Sequence, residues 1–287
     1  MKHLHLYLNL LAAAGLLTAS CSVKDQPVTQ LVPVTVQVND IELVKEPTRS
    51  AQNAKDYEKI QAIDLAFFAG NTVVYQTTQL KSVAGNSFGT FSCSLPIGTY
   101  TMAVIARNAG EDDVFTLSSP TLAAYTTNPK ETFCATQSVT VTQTASLSLN
   151  VTLNRIMAMF RLCSTDLSSP GVASVSVTYG AGAKSFNPST GLASNDDGFV
   201  VSDTPYGQYG YVDMYFPLFL ADDEESMDVT LEAFDADENS LFTATIQNVP
   251  FQRNCTTKAM GNMFTASASS ASFKVETEWL PGNTVSF

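Results

Sequence analysis

Cys21 stands where a thiol can be chemically modified. It directly follows Thr18-Ala19-Ser20, the small-residue end of a largely apolar run from Leu4 to Leu17 that opens on Met1-Lys2-His3. The run is shorter than the ~20 apolar residues of a membrane-spanning helix, so residues 1–20 read as a secretory signal peptide. A signal peptide that ends at a cysteine is the pattern of bacterial lipoproteins, in which the thiol is diacylated. Cys21 is then the anchored N-terminus, and the membrane is touched only through its lipid. The second reactive position is the Arg49–Ser50 bond. It lies in the polar stretch Glu46-Pro47-Thr48-Arg49-Ser50-Ala51-Gln52-Asn53, which reads as an exposed linker open to a protease. The plainer alternative is a first strand followed by an ordinary loop.

The other chemistry is sparse. Cys93, Cys134, Cys163 and Cys255 follow Cys21, and export exposes them to an oxidising compartment where four cysteines allow three pairings. Cys93 with Cys134 and Cys163 with Cys255 need the least reach, because each pair stays within one half of the chain. Four buried free thiols are the alternative, since an unpaired cysteine packs as a small hydrophobe. No C-x-x-C pair is present. Both histidines, His3 and His5, fall in the signal peptide, which removes His-activated nucleophiles and His-based metal sites from the exported chain. Gly180-Ala181-Gly182-Ala183-Lys184-Ser185 lacks the spacing of a phosphate loop and reads as a glycine-rich hairpin turn. Asp235-Ala236-Asp237-Glu238-Asn239 resembles the start of a calcium loop. Ser240 and Ile246 stand where that loop needs Gly and Glu, so it too reads as a hairpin turn. Asp222-Asp223-Glu224-Glu225 reads as a solvated acidic loop. No catalytic residue, metal site or cofactor is expected, and the chain does not read as an enzyme.

The elements around these positions are strands. Ala145, Leu147, Leu149, Val151 and Leu153 alternate with polar residues, as do Met227, Val229, Leu231 and Ala233. Tyr100, Met102, Val104 and Ala106 share one face of another run, and Phe273, Val275, Thr277 and Trp279 alternate with Lys274, Glu276 and Glu278. Val32, Val34, Val36 and Val38 form one more such strand ahead of the polar linker. A period of two is what a sheet with one buried and one wet face requires. Turn clusters such as Pro96-Ile97-Gly98 and Pro205-Tyr206-Gly207 separate the runs, and short strands at regular spacing predict an all-β sandwich fold. Strand number favours two sandwiches with a boundary near Asn154, spanning 50–154 and 155–287.

Composition agrees with an exported β protein. The chain is 45% hydrophobic and 15% charged, enough for a substantial core. A net charge of −12 without a basic patch argues against nucleic acid as a partner.

Three stretches carry a family resemblance. Leu95-Pro96-Ile97-Gly98-Thr99-Tyr100 through Ala106-Arg107-Asn108 is similar to the glycine-tyrosine strand of the Bacteroidales fimbrillin family, the subunits of protease-assembled (type V) pili. Leu153-Asn154-Arg155-Ile156-Met157-Ala158-Met159-Phe160 resembles the Arg-x-x-Ala strand that opens its second domain. Val249-Pro250-Phe251-Gln252-Arg253-Asn254, with Thr257, Gly261 and Phe264, resembles its late Arg-Asn segment. Ser22-Val23-Lys24-Asp25 looks like a surface-export signal of that phylum. The resemblance implies two tandem transthyretin-like Greek-key β-sandwich domains and a lipidated precursor. It implies an Arg-specific protease that cuts after an arginine and removes 21–49 with its first strand. Other pilus subunits would be the partners, a neighbour's strand filling the vacated groove by β-augmentation. The expected location is the outer membrane and cell-surface fimbrium, with a role in adhesion. Four buried valines in the removable strand would contribute roughly 6–12 kcal/mol gross, an upper bound. The C-terminal stretch with Phe273, Val275 and Trp279 is the candidate donor strand. A permanently lipid-anchored surface protein, either a pilus anchor or a glycan-binding protein, is the alternative.

Overall fold

The structure is a computed structural model that describes residues 30–42, 52–110, 114–143, 145–166, 171–205, 212–263 and 273–279. The first half supplies β1 (Leu31–Glu42), β2 (Gln52–Asn53), β3 (Ala62–Ala69), β4 (Thr72–Leu80), β5 (Thr90–Pro96) and β6 (Gly98–Arg107). It continues through β7 (Phe115–Ser119), β8 (Leu122–Tyr125), β9 (Thr132–Val141) and β10 (Leu147–Arg155). The second half supplies β11 (Ala158–Ser164), β12 (Ser174–Tyr179), β13 (Ser185–Asn187), β14 (Leu192–Ala193) and β15 (Phe199–Asp203). Then come β16 (Asp213–Leu218), β17 (Glu224–Phe234), β18 (Ser240–Gln252), β19 (Cys255–Gly261) and β20 (Phe273–Trp279). The fold is all-β, as the alternation predicts.

In the first half one sheet runs β2-β1-β10-β9-β6-β3-β4, with β5 also paired to β1. β9 meets β10 only where Phe133 and Cys134 face Arg155 and Asn154. The sheet therefore folds over at that point into two layers, β9-β6-β3-β4 against β10-β1-β5. Ile63, Leu65, Phe67, Met102 and Val104 from one layer pack against the β1 valines, Phe91, Leu95, Val151 and Leu153 from the other. In the second half, sheets β16-β11-β19-β20 and β15-β12-β17-β18 face each other across a second core containing Phe160, Tyr179, Phe216, Leu231 and Phe251.

A third element crosses between the halves. Hairpin β7–β8 comes from the first half and β13–β14 from the second, and they join as a four-stranded sheet through Ser185–Phe186 against Ala123–Ala124. Under it lies a separate core of Phe68, Ile105, Tyr125, Met157, Phe186 and Phe219. This explains β3 and β6, which are buried on both faces rather than alternating: Ala103 and Ile105 are covered as fully as Met102 and Val104. The 180–185 stretch differs from its sequence expectation for the same reason. It links β12 to β13, which belong to different sheets, and so it is not a hairpin turn. Its Gly182 has φ +71 and donates its N–H to Asp196 Oδ1 at 2.6 Å. The 235–239 stretch is the hairpin turn expected, with Asp235 Oδ1 accepting from the backbone N–H of Asp237 and Asn239.

Candidate functional site

β1 is the element from which a site can be built. Its alternating valines are fully or almost fully buried, Val38 being the most exposed at 5%. Along Val34–Glu42 it runs parallel to β10. Its opposite edge is taken antiparallel by β5 along Leu31–Gln37 and by β2 at Asp40–Ile41. A strand supplied by the start of the chain thus sits in the middle of a layer, gripped on both edges. Gly89 closes this grip beside Val38. It accepts the Val38 N–H at 2.8 Å, holds φ +87, and a Cβ there would approach the Val38 carbonyl to 3.2 Å. Asn39 Nδ2 donates to Asn150 Oδ1 at 3.1 Å on the outer side.

Strict period-two reading stops at Val38 and misses Ile41. The register with β10 shifts between Val38 and Asp40, and this bulge returns Ile41 to the core at 0% exposure. Burying Val32, Val34, Val36, Val38 and Ile41 contributes roughly 8–15 kcal/mol gross, again an upper bound. At its Glu42 end the strand borders a cleft of about 510 Å3, where β9 and β10 diverge. Asn150, Asn154, Gln137 and Arg253 are among the residues lining it.

Arg49 and Ser50 lie outside the described residues, in the 43–51 connection between β1 and β2; Cys21 also lies outside them. The other four arginines are all engaged. Arg107 Nε donates to Asp64 Oδ2 at 2.8 Å, and both side chains are buried. Arg155 reaches Glu131 Oε1 at 2.7 Å, the Tyr57 hydroxyl at 3.1 Å and Asn254 Oδ1 at 3.0 Å. Burial, followed by the Glu131 charge, pushes the Tyr57 hydroxyl well above the ordinary tyrosine range. Arg161 binds Asp213 through two 2.8 Å hydrogen bonds, which hold that carboxyl below its usual pKa. Arg253 is paired with Asp223 and donates to the Thr190 carbonyl at 3.0 Å.

β20, the candidate donor, is an edge strand. It pairs antiparallel with β19 from Cys255–Trp279 to Gly261–Phe273, and Val275 packs, half-buried, against the second core.

Of the two alternatives that the sequence leaves open, the structure has the free thiols at Cys93, Cys134, Cys163 and Cys255. Cys93 faces Val34, while Cys134 faces Asn154, which is level with Glu42 at the far end of β1. Eight residues along the strand direction put them roughly 25 Å apart at ~3.3 Å each. Cys163 lies beside Met260 on β19, five positions beyond Cys255, roughly 16 Å away. Bridged cysteines need Cα atoms within about 7 Å. Cys134 instead packs in the inter-half core, where burial pushes its thiol up to about 12.

The described residues form an all-β sandwich protein whose first described strand is held between two others. The chain belongs to a family of unknown function, DUF6562, whose model matches residues 25–279. No curated protein matches it. Among solved structures it is similar to a Bacteroides ovatus protein provisionally described as an adhesin, with 10% identity and a TM-score of 0.51, over 88% of this chain and 97% of that one. A Bacteroides thetaiotaomicron protein provisionally described as polysaccharide-binding gives 12% identity and a TM-score of 0.50, over 87% and 98%. The fimbrial anchor protein Mfa2 of Porphyromonas gingivalis gives 9% identity and a TM-score of 0.49, over 88% and 98%.

Proposed function

We propose that this chain is a fimbrillin-like subunit of a cell-surface pilus, exported as a precursor lipidated at Cys21 and matured by cleavage between Arg49 and Ser50. The observation that carries the reading is the place of β1. It comes from the start of the chain, fills the middle of a layer, and joins the rest through the 43–51 connection. Cutting that connection leaves β1 held without a covalent link, so a competing strand from another subunit can displace it by β-augmentation. An Arg-directed protease finds Arg107, Arg155, Arg161 and Arg253 on strands or beside them, each tied to a carboxylate. Opening any of these sites costs local unfolding, whereas a polar linker costs little. β20 suits a donor role because an edge strand gives up one ladder on leaving rather than two.

N-terminal sequencing of protein from native cells tests the cut. The expected terminus is Ser50, with an Arg49→Ala variant staying membrane-bound and monomeric while the wild type forms polymers resistant to mild denaturation. A native protein that keeps Val32–Val38, or a variant that assembles normally, ends this reading in favour of a permanently lipid-anchored surface protein. A Cys21→Ala variant should take up no fatty-acid label; label retained there removes the lipoprotein step.

A further inference from the structure

The end of the first sandwich that lies away from Arg107 and Arg155 is built without charge. Leu31 of β1 pairs with Pro96, Gly98 pairs with Val141, Val34 pairs with Leu147, and Phe68 pairs with Thr101 just before the Gly70-Asn71 turn. These registers gather the start of β1, the β3–β4 turn, the 96–98 turn and the ends of β9 and β10 at one pole. The runs that supply it, 26–39, 65–80, 82–106 and 132–154, contain no Asp, Glu, Lys or Arg, on a chain that is 15% charged. Burial accounts for this at the inward positions only. The outward positions Ser92, Ser94, Thr99, Thr140 and Ser148 are exposed, and each carries a hydroxyl rather than a charge. Four aliphatic side chains are exposed at the same pole: Leu31 at 57%, Ile97 at 49%, Val73 at 41% and Val74 at 39%. An exposed apolar residue standing alone needs no explanation; several on one uncharged end mark a contact surface.

We infer that this pole is a docking face for a lipid bilayer, on which the precursor stands while Cys21 holds it there. The inference rests on the lipidation at Cys21 proposed above. The chain between Cys21 and Gln30, the first described residue, spans at most about 30 Å when fully extended at ~3.5 Å a residue. The tether therefore opens onto this pole and keeps it within that distance of the bilayer. Glu42, at the other end of β1, lies roughly 36 Å farther along the strand direction at ~3.3 Å a residue. On a chain of net charge −12, an acidic end held this close would be repelled by anionic lipids. An uncharged face removes that repulsion, and its aliphatic side chains can enter the headgroup boundary. Tethering makes the contact intramolecular, so four partly exposed side chains suffice where a free protein would need more. A contact between copies would need no tether at this end; the bilayer uses both features. Docked in this way, the molecule points the Glu42 end of β1, where the 43–51 connection begins, away from the lipid.

The test uses full-length protein carrying a fatty-acid label, inserted into vesicles of phosphatidylethanolamine and phosphatidylglycerol whose brominated acyl chains quench nearby tryptophan. Trp279, the chain's one tryptophan, is replaced by Phe. Ile97→Trp then supplies a single reporter at the pole, and Leu241→Trp supplies one on β18 in the second half. Quenching should be at least threefold greater for Ile97→Trp than for Leu241→Trp. Adding Leu31→Asp and Val73→Asp, both at exposed positions, should cut the Ile97→Trp quenching at least twofold while the label is retained. Unaltered circular dichroism and thermal melting establish that the variants fold. Equal quenching at the two reporters overturns the inference, and so does quenching that survives the two aspartates. In either case the retained label leaves the lipoprotein reading standing. A wild type that takes up no label removes that reading and this inference together. Equal quenching, with Ile97→Asp blocking assembly of the matured chain, would overturn the bilayer in favour of a contact between copies.

Discussion

β1 and β20 look alike as sequence and differ in every physical respect that matters for strand exchange. Both alternate apolar and polar residues near an end of the chain. β1 lies between β10 and β5, with inward side chains in the first core; β20 pairs with β19 along one edge, and its Lys274 is exposed. The ion pairs follow the same division. Arg107–Asp64 and Arg155–Glu131 in the first half are buried, whereas Arg161–Asp213 and Arg253–Asp223 in the second have side chains between 26% and 49% exposed. The shared β7-β8-β13-β14 sheet covers the second face of β3 and β6 in the first half. An alternating pattern therefore specifies a strand, and the number of neighbours decides how much of its backbone is paired.

The largest effect that could break this comparison is a charge in β1. Val36→Asp buries an unpaired carboxylate and should cost more than about 4 kcal/mol, leaving little folded protein in urea titrations. Lys274→Asp on β20 should cost under about 1 kcal/mol. Equal losses would make β20 as integral as β1. Next in size, Glu131→Ala strands Arg155 and should cost about 3–5 kcal/mol, against under about 1 kcal/mol for Asp213→Ala at the exposed pair. Similar values from chemical denaturation would contradict the burial difference. Cavity variants follow: Val36→Ala should lose about 1–3 kcal/mol, and Val275→Ala, half-buried, no more than about 1 kcal/mol. The smallest effect sharpens the contrast through pH. The Cys134 thiol is held protonated in the folded state up to about 12 by burial, while an unfolded thiol ionises near 9. Stability from this group is complete below about pH 9 and is lost as pH rises from there through 12. Melting temperature should fall from pH 9 to 11 in the wild type and less steeply in Cys134→Ala.

Much of the fold was legible because period two is a direct imprint of a half-buried sheet. The strands at 145–153, 227–233 and 32–38 carried it plainly. β3 and β6 were harder, since residues such as Ala103 and Ile105 are apolar for a second core that the chain builds only when distant hairpins meet. Ile41 was invisible because a bulge breaks the period between Val38 and Asp40. The choice between paired and free cysteines was open for a related reason: nearness within one half of the sequence says nothing about which end of a strand, or which face of a layer, a thiol occupies.

Sequence alone determined that this chain is all-β and where many of its strands fall. Those properties follow from local periodicity and residue type. Tertiary structure decided that the first strand is central and parallel to β10, that the last described strand is an edge, and that two halves share a sheet. Strand order depends on pairings between residues more than a hundred positions apart, such as Val34 with Leu147. No local pattern encodes those pairings; they are chosen by which faces can be buried together.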